Sequence, residues 1–290
     1  MAVNNSLVAK QNQRLGITAY LTNDAVKQQI NSVIGGKDGQ RFISAIVSAV
    51  NTNPALQECT NQSILSGALL GESLKLSPSP QLGHYYLVPY NDKEKGKVAQ
   101  FQLGYKGYIQ LAIRSGQYKK INVIAVKEGE LEYFDPLNEE IKINLMIDKW
   151  DEREAAPTIG YYAMFELVNG FRKAIYWSKA QMESHAIKYS PGYKKDREKG
   201  WNYTFWSKDF DGMAYKTMLR QLISKWGIMS IEMISGMDAD MAIINDDGTK
   251  TYVENDDSVI DMESQTEPET VEPKQEASGN DAAAALFGNK

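Results

Sequence analysis

Val98-Ala-Gln-Phe-Gln-Leu-Gly-Tyr-Lys-Gly-Tyr-Ile-Gln-Leu-Ala-Ile-Arg-Ser-Gly116 reads as two elements joined at a glycine. Val98 to Gly104 has the character of a strand. From Tyr105 to Ser115 the apolar positions Tyr108, Ile109, Leu111, Ala112 and Ile113 follow helical spacing, and Gly116 supplies the stop. Just upstream, His84 to Tyr90 reads as another strand, with Asn91 to Lys97 as the charged turn between the two. A strand pair that feeds directly into a helix places the chain in the α+β class.

The flanking sequence agrees. Residues 1–20 lack periodicity and read as a mobile arm. Helical patterns follow at 22–34, 38–52 and 61–75, the first behind the cap signal Thr22-Asn23-Asp24. Downstream, strands are predicted at 119–127 and 129–134. A hairpin is predicted over 158–177, with Asn169-Gly170 suited to a type I′ turn. Helices at 178–188 and 207–227 close the pattern. The expected fold is α+β, a mainly antiparallel sheet with helices packed on one face, a helical N-terminal region and a disordered acidic C-terminal tail.

Charge divides the chain further. The net charge of −5 over 290 residues hides two unlike parts. Residues 238–290 carry fourteen Asp/Glu against three Lys, whereas residues 1–237 carry 29 basic and 23 acidic residues. A basic body with an acidic tail suggests contact with nucleic acid. The expected organisation is an arm and helix over 1–35 as a candidate subunit contact, a core over 36–237, and a tail over 238–290. The tail is too poor in large apolar residues to offset the entropy of ordering. Its apolar end, Ala282 to Phe287, is a candidate docking segment.

The strongest functional signal lies between Phe171 and Lys225, where twelve Lys/Arg stand against five acids among many aromatic rings. Cations interleaved with flat rings suit a polyanion with exposed bases, which is single-stranded nucleic acid. On a helix after Trp206, Lys216 and Arg220 lie ~40° apart on one stripe, with Tyr215, Met218, Leu219, Leu222 and Trp226 opposite. Lys194, Lys195, Arg197, Lys199 and Lys208 precede them, and Gly192 and Gly200 suggest a loop able to fold over a groove. Tyr176, Trp177 and Trp226 are expected to be buried, and only some of Tyr193, Tyr203 and Trp206 to meet DNA. A second basic element starts at Gly104-Tyr105-Lys106-Gly107, where two glycines would let a backbone approach closely, with amide hydrogens of the helix N-terminus facing an anion. Arg114, Lys119 and Lys120 follow it.

Other classes fit poorly. The chain has no phosphate loop of the G-x-x-x-x-G-K-[ST] type, which argues against an ATP-driven recombinase or helicase. Its only histidines, His84 and His185, lack metal-ligand spacing, and Asp209 and Asp211 would point ~200° apart on a helix, which argues against a Mg²⁺ nuclease. The lone Cys59, the lack of a visible signal peptide and the lack of a long apolar run suggest a soluble cytoplasmic protein without membrane contact. Neither a cofactor, a metal nor a catalytic residue is expected.

Two blocks, Leu103-Gly-Tyr-Lys-Gly-Tyr-Ile-Gln-Leu-Ala-Ile-Arg-Ser-Gly-Gln-Tyr118 and Trp206-Ser-Lys-Asp-Phe-Asp-Gly-Met-Ala-Tyr-Lys-Thr-Met-Leu-Arg220, resemble the RecT family of phage single-strand annealing proteins. The resemblance covers roughly residues 20–235. It implies ATP-independent binding of single-stranded DNA, annealing of complementary strands through a duplex intermediate, and assembly into rings or helical filaments. It also implies a phage exonuclease and the host single-stranded DNA-binding protein as partners, in a bacterial cytoplasm. The family's groove residues would fall at Lys106, Lys208, Lys216 and Arg220, and Tyr215 stands where a second basic residue is common. The full expected DNA-binding set is Tyr105, Lys106, Arg114, Lys119, Lys120, Lys194, Lys195, Arg197, Trp206, Lys208, Lys216 and Arg220. A passive strand-protecting protein is the nearest alternative, and a scaffold with a basic patch for an acidic partner is a third.

Overall fold

The structure is a computed structural model that describes residues 16–92 and 95–252. The predicted arm up to residue 15 and the predicted tail beyond Tyr252 lie outside the described residues.

The N-terminal region is helical: α1 (Ile17–Leu21), α2 (Asp24–Ile34), α3 (Gly36–Thr52) and, after a 3₁₀ turn at Pro54–Glu58, α4 (Asn61–Ser73). Asn23 caps α2 through a bond from the Ala25 N–H, and Thr60 caps α4 through one from Ser63. The arm reading was too long at its inner end, because Ile17 and Leu21 turn inward on the first helix. On α2, Ile30 is fully buried in the chain's own core.

The strand pair read from sequence is present as β1 (Tyr85–Asp92) and β2 (Gly96–Leu103), in unbroken antiparallel register from Tyr85↔Leu103 to Asp92↔Gly96. Pro89 sits within β1, and β1 is a sheet edge, where the missing N–H costs no ladder bond. Helix α5 (Tyr105–Arg114) follows directly. Next come β3 (Tyr118–Lys127), the small hairpin β4 (Leu131–Asp135) with β5 (Glu140–Ile143), and α6 (Trp150–Ala155). The long hairpin β6 (Thr158–Leu167) with β7 (Arg172–Ser178) completes a three-stranded antiparallel sheet, order β3-β6-β7. Its turn is not type I′. Only Gly170 takes a positive φ (88°), and Gly170 N–H bonds the Leu167 carbonyl, the pattern of a type I turn closed by a left-handed glycine.

Five helices then run in succession: α7 (Lys179–Tyr189), α8 (Pro191–Lys199), α9 (Phe205–Lys208), α10 (Phe210–Trp226) and α11 (Ile231–Ala239). Each starts on a side-chain cap, from Ser178, Ser190, Thr204, Asp209 and Ser230 in turn. A cap of this type is worth about 1 kcal/mol. Short strands β8 (Ala242–Ile244) and β9 (Lys250–Tyr252) extend the first sheet to the order β1-β2-β8-β9.

Three sequence expectations need correction here. Residues 191–199 are a helix, not a loop: Pro191 occupies the first turn, and Gly200 ends it at φ 66°. The tail boundary at Asp238 is too early, because α11 runs through it and buried Ala242, Ile243 and Ile244 pair against the first sheet. Trp226 is not core; it is 36% exposed, with Lys173 Nζ 4.4 Å and Lys225 Nζ 5.5 Å from its ring. Fully buried Tyr85, Phe101, Tyr108, Tyr161 and Phe165 anchor the core shared by both sheets and the helices packed on them.

Candidate nucleic-acid interface

Helix α10 forms the floor of a cleft. Asp209 fixes its start by accepting from the Gly212 N–H at 2.9 Å, and helical geometry then stacks Lys216 and Arg220 one turn apart. Both reach the same carboxylate. Lys216 Nζ lies 2.8 Å from Asp240 Oδ1, and Arg220 Nη1 lies 3.0 Å from Asp240 Oδ2. Asp240 is fully buried. It accepts two further bonds, from the Leu103 N–H at 2.9 Å and the Tyr108 O–H at 3.2 Å. Burial, and next the Asp240 charge, raise the Tyr108 pKa, so the phenol stays a donor. Arg220 is held charged by the adjoining Tyr108 oxygen and by Asp240, against the cost of burial.

The next residue, Met241, adopts φ 69°, a region that non-glycine residues rarely enter. Its N–H bonds the Phe101 carbonyl at 2.9 Å, and its own carbonyl accepts from Gln100 Nε2 at 2.5 Å. Those bonds hold a strained turn in place between Asp240 and β8. Two cations against one carboxylate leave the cleft floor with one excess positive charge.

The cleft encloses about 450 Å³. One wall is Val88 to Tyr90 of β1 with Gln100 and Gln102 of β2; the other is the end of α7, the start of α8 and the segment Tyr203 to Trp206. Gln102 Nε2 donates to Gln100 Oε1 at 2.8 Å, forming a buried amide pair along one strand face. His185 also lines the cleft, between Trp177 and Tyr189. Burial, assisted by Lys188, pushes its pKa down to about 4, so it adds no charge at neutral pH.

One residue organises the second wall. Asp196 of α8 is buried, and one of its oxygens accepts from the Tyr203 N–H (3.0 Å), the Thr204 N–H (2.8 Å), the Thr204 hydroxyl (2.8 Å) and the Ser207 hydroxyl (2.7 Å). Burial alone would raise its pKa, but the donors from Thr204, Ser207 and Tyr203 outweigh it and hold the carboxyl at about 2. A depressed carboxylate pKa contributes stability that is complete above the unfolded value near 4 and is lost as pH falls towards 2. The expected outcome for Asp196→Asn is a lower melting temperature at pH 7. Melting curves between pH 7 and pH 2 should show that difference shrinking only below about pH 4.

The profile of the RecT family matches residues 40–268. The chain belongs to the RecT family. Its full-length relatives include "Uncharacterized protein YqaK" of Bacillus subtilis (strain 168), 40% identical over 271 residues covering 92% of this chain and 86% of the relative. "Protein RecT" of Escherichia coli (strain K12) is 27% identical over 251 residues, covering 84% of this chain and 88% of that protein. The resemblance carried by the two quoted blocks therefore extends over most of the described residues.

Against the expected DNA-binding set, the fold gathers some residues and separates others. Lys216, Arg220 and Trp206 all line the cleft. Lys216, however, is not presented on an open helix face; it is buried beneath its ion pair. Trp206 is only 7% exposed and packs on Phe210 and Tyr193, so its ring faces are committed to protein. Exposed Lys194, Lys195 and Arg197 ride on α8, with Arg197 paired to Glu183 at 3.0 Å and Lys195 Nζ 5.5 Å from the Trp201 ring. Lys208 is exposed at the end of α9. Phe205 on the same helix contacts Tyr86 of β1, with ring centroids 5.9 Å apart.

Lys106 is exposed in the first turn of α5, and Tyr105 packs edge-on to Tyr215 at 5.5 Å. The glycines beside them admit a close backbone approach. A Cβ at Gly104 would lie 2.2 Å from the Gly83 carbonyl oxygen, and one at Gly107 would lie 2.1 Å from that of His84. The backbone that approaches is the protein's own. Arg114, at the far end of α5 and about 12 Å from Lys106 along the axis, donates to the carbonyls of Leu74 (2.6 Å) and Lys75 (3.0 Å). Lys119 and Lys120 share Glu166, at 2.5 and 3.5 Å.

Sequence reasoning missed Asp240, Asp196 and the Gln100–Gln102 pair. Alternate glutamines on a predicted strand were a usable signal, because period-2 spacing puts both on one face. Among the described residues, no three His, Cys, Asp or Glu are grouped to hold a metal ion, and no helix is long and apolar enough to cross a membrane.

Proposed function

We propose that this RecT-family chain binds single-stranded DNA along the α10 cleft and anneals complementary strands without ATP. The observation that carries this reading is the excess positive charge on an aromatic-walled cleft floor, with exposed Lys194, Lys195 and Lys208 on the helices of its second wall. Cations of this kind bind backbone independently of sequence, through counterion release.

The mechanism needs no covalent step. Duplex formation is downhill by about 1.4 kcal/mol per stacked step. The obstacle is repulsion between phosphate chains and the disorder of free strands. Exposed lysines neutralise the first strand, and the fixed cleft extends it. Base edges must stay open to the second strand. Assembly of many copies as a ring or helical filament would lengthen the aligned segment. Cooperation with a phage exonuclease and the host single-stranded DNA-binding protein, in the cytoplasm of an infected bacterium, belongs to the same proposal. The test is the pairing rate of two dye-labelled complementary oligonucleotides. We expect acceleration by the protein with no nucleotide added, whereas a strand-protecting protein slows pairing.

A further inference from the structure

We infer that Tyr203 is a stacking platform for an unpaired nucleobase, held in position by Asp196. The inference rests on the proposed DNA-binding reading and adds the residue that meets a base.

Four observations carry it. Tyr203 is 71% exposed although its own backbone N–H is fixed by a buried carboxylate at 3.0 Å. An exposed ring on a mobile loop is common; an exposed ring on an anchored one is a preorganised surface. Next, Thr204 both binds Asp196 and caps α9 by accepting from the Ser207 N–H at 3.3 Å, so the segment is tied at each end. Trp201 N–H is also fixed, to the Asp196 carbonyl at 2.8 Å, and the Trp201 ring meets Tyr203 edge-on at 5.4 Å. Lys195 Nζ lies 5.5 Å from the Trp201 ring, and Tyr203 is the more exposed ring of the pair, 71% against 44%. Finally, Tyr203 lines the mouth of the same cleft whose floor holds Lys216 and Arg220.

The chemistry selects a base rather than a phosphate. A phenol ring offers a flat apolar face, and every nucleobase can stack on it whatever its sequence. Stacking engages only the face of the base. Its Watson–Crick edge stays free, as annealing requires, whereas burial of the base against Gln100 and Gln102 would engage that edge.

Tyr203→Ala and Tyr203→Trp test this, with binding followed by fluorescence anisotropy. The probes are an oligonucleotide and an abasic strand of equal length, each titrated over a range of salt. Wild-type protein should prefer the strand with bases. Tyr203→Ala should lose about 5- to 140-fold on that strand alone, with its salt slope unchanged, and Tyr203→Trp should retain affinity. Equal loss on both strands, a shallower salt slope or no change would overturn the stacking role. Failure of wild-type protein to bind either strand would instead overturn the DNA-binding reading beneath it.

Discussion

A chain ending at Met237 should fail to fold, whereas one ending at Tyr252 should melt close to the full-length protein. The acidic composition after residue 237 suggested disorder from Asp238 onward, and the fold contradicts this as far as Tyr252. Removing Asp240 strands Lys216, Arg220, the Tyr108 hydroxyl and the Leu103 N–H together. Removing one partner of a buried ion pair typically costs about 3–5 kcal/mol. The same cut strips buried Ile243 and Ile244 from the first sheet, at roughly 1.5–3 kcal/mol each. Against a total stability of about 5–15 kcal/mol, these losses are decisive. Thermal unfolding followed by circular dichroism checks it. Similar melting of the two truncated chains would refute the role given to Asp240 and β8.

Lys216→Ala should destabilise the protein by about 3 kcal/mol, near the low end of that range because Arg220 still faces Asp240. Lys216→Met keeps the volume filled but not the ion pair, so it should recover little of the loss. Lys208→Ala, at an exposed position, should stay within about 0.5 kcal/mol of wild type. Urea unfolding of the four proteins measures these differences. If Lys216→Met were as stable as wild type, the cost would come from packing and not from charge. The contrast also governs how DNA-binding data on these lysines are read. Loss of affinity at Lys208 reports the interface, whereas loss at Lys216 reports the fold until stability is matched.

The sequence revealed the elements better than their partners. The change of period at Gly104, the apolar stripe of α10 and the hairpin around Gly170 are local patterns, and the structure contains all three elements. A helical wheel correctly puts Lys216 and Arg220 on one stripe. It cannot say what covers that stripe, and the answer, Asp240, lies twenty residues beyond Arg220 in a segment whose charge count suggested disorder. Net charge averages over a segment, so one buried acid disappears among exposed ones. The basic run 191–199 was misread because Gly192 and Gly200 suggested a loop, although Pro191 and Gly200 are ordinary start and stop signals for a helix. Asp196 shows the same limit, because its four bonds depend on how the chain returns after Gly200.

We propose that the α10 cleft promotes pairing and does not merely shield one strand. Stopped-flow energy transfer between two complementary oligonucleotides, one preloaded on the protein, tests it most directly. Faster pairing than in free solution is the expected result, without ATP and without shortening of either strand. Pairing slower than that of the naked strands would contradict it.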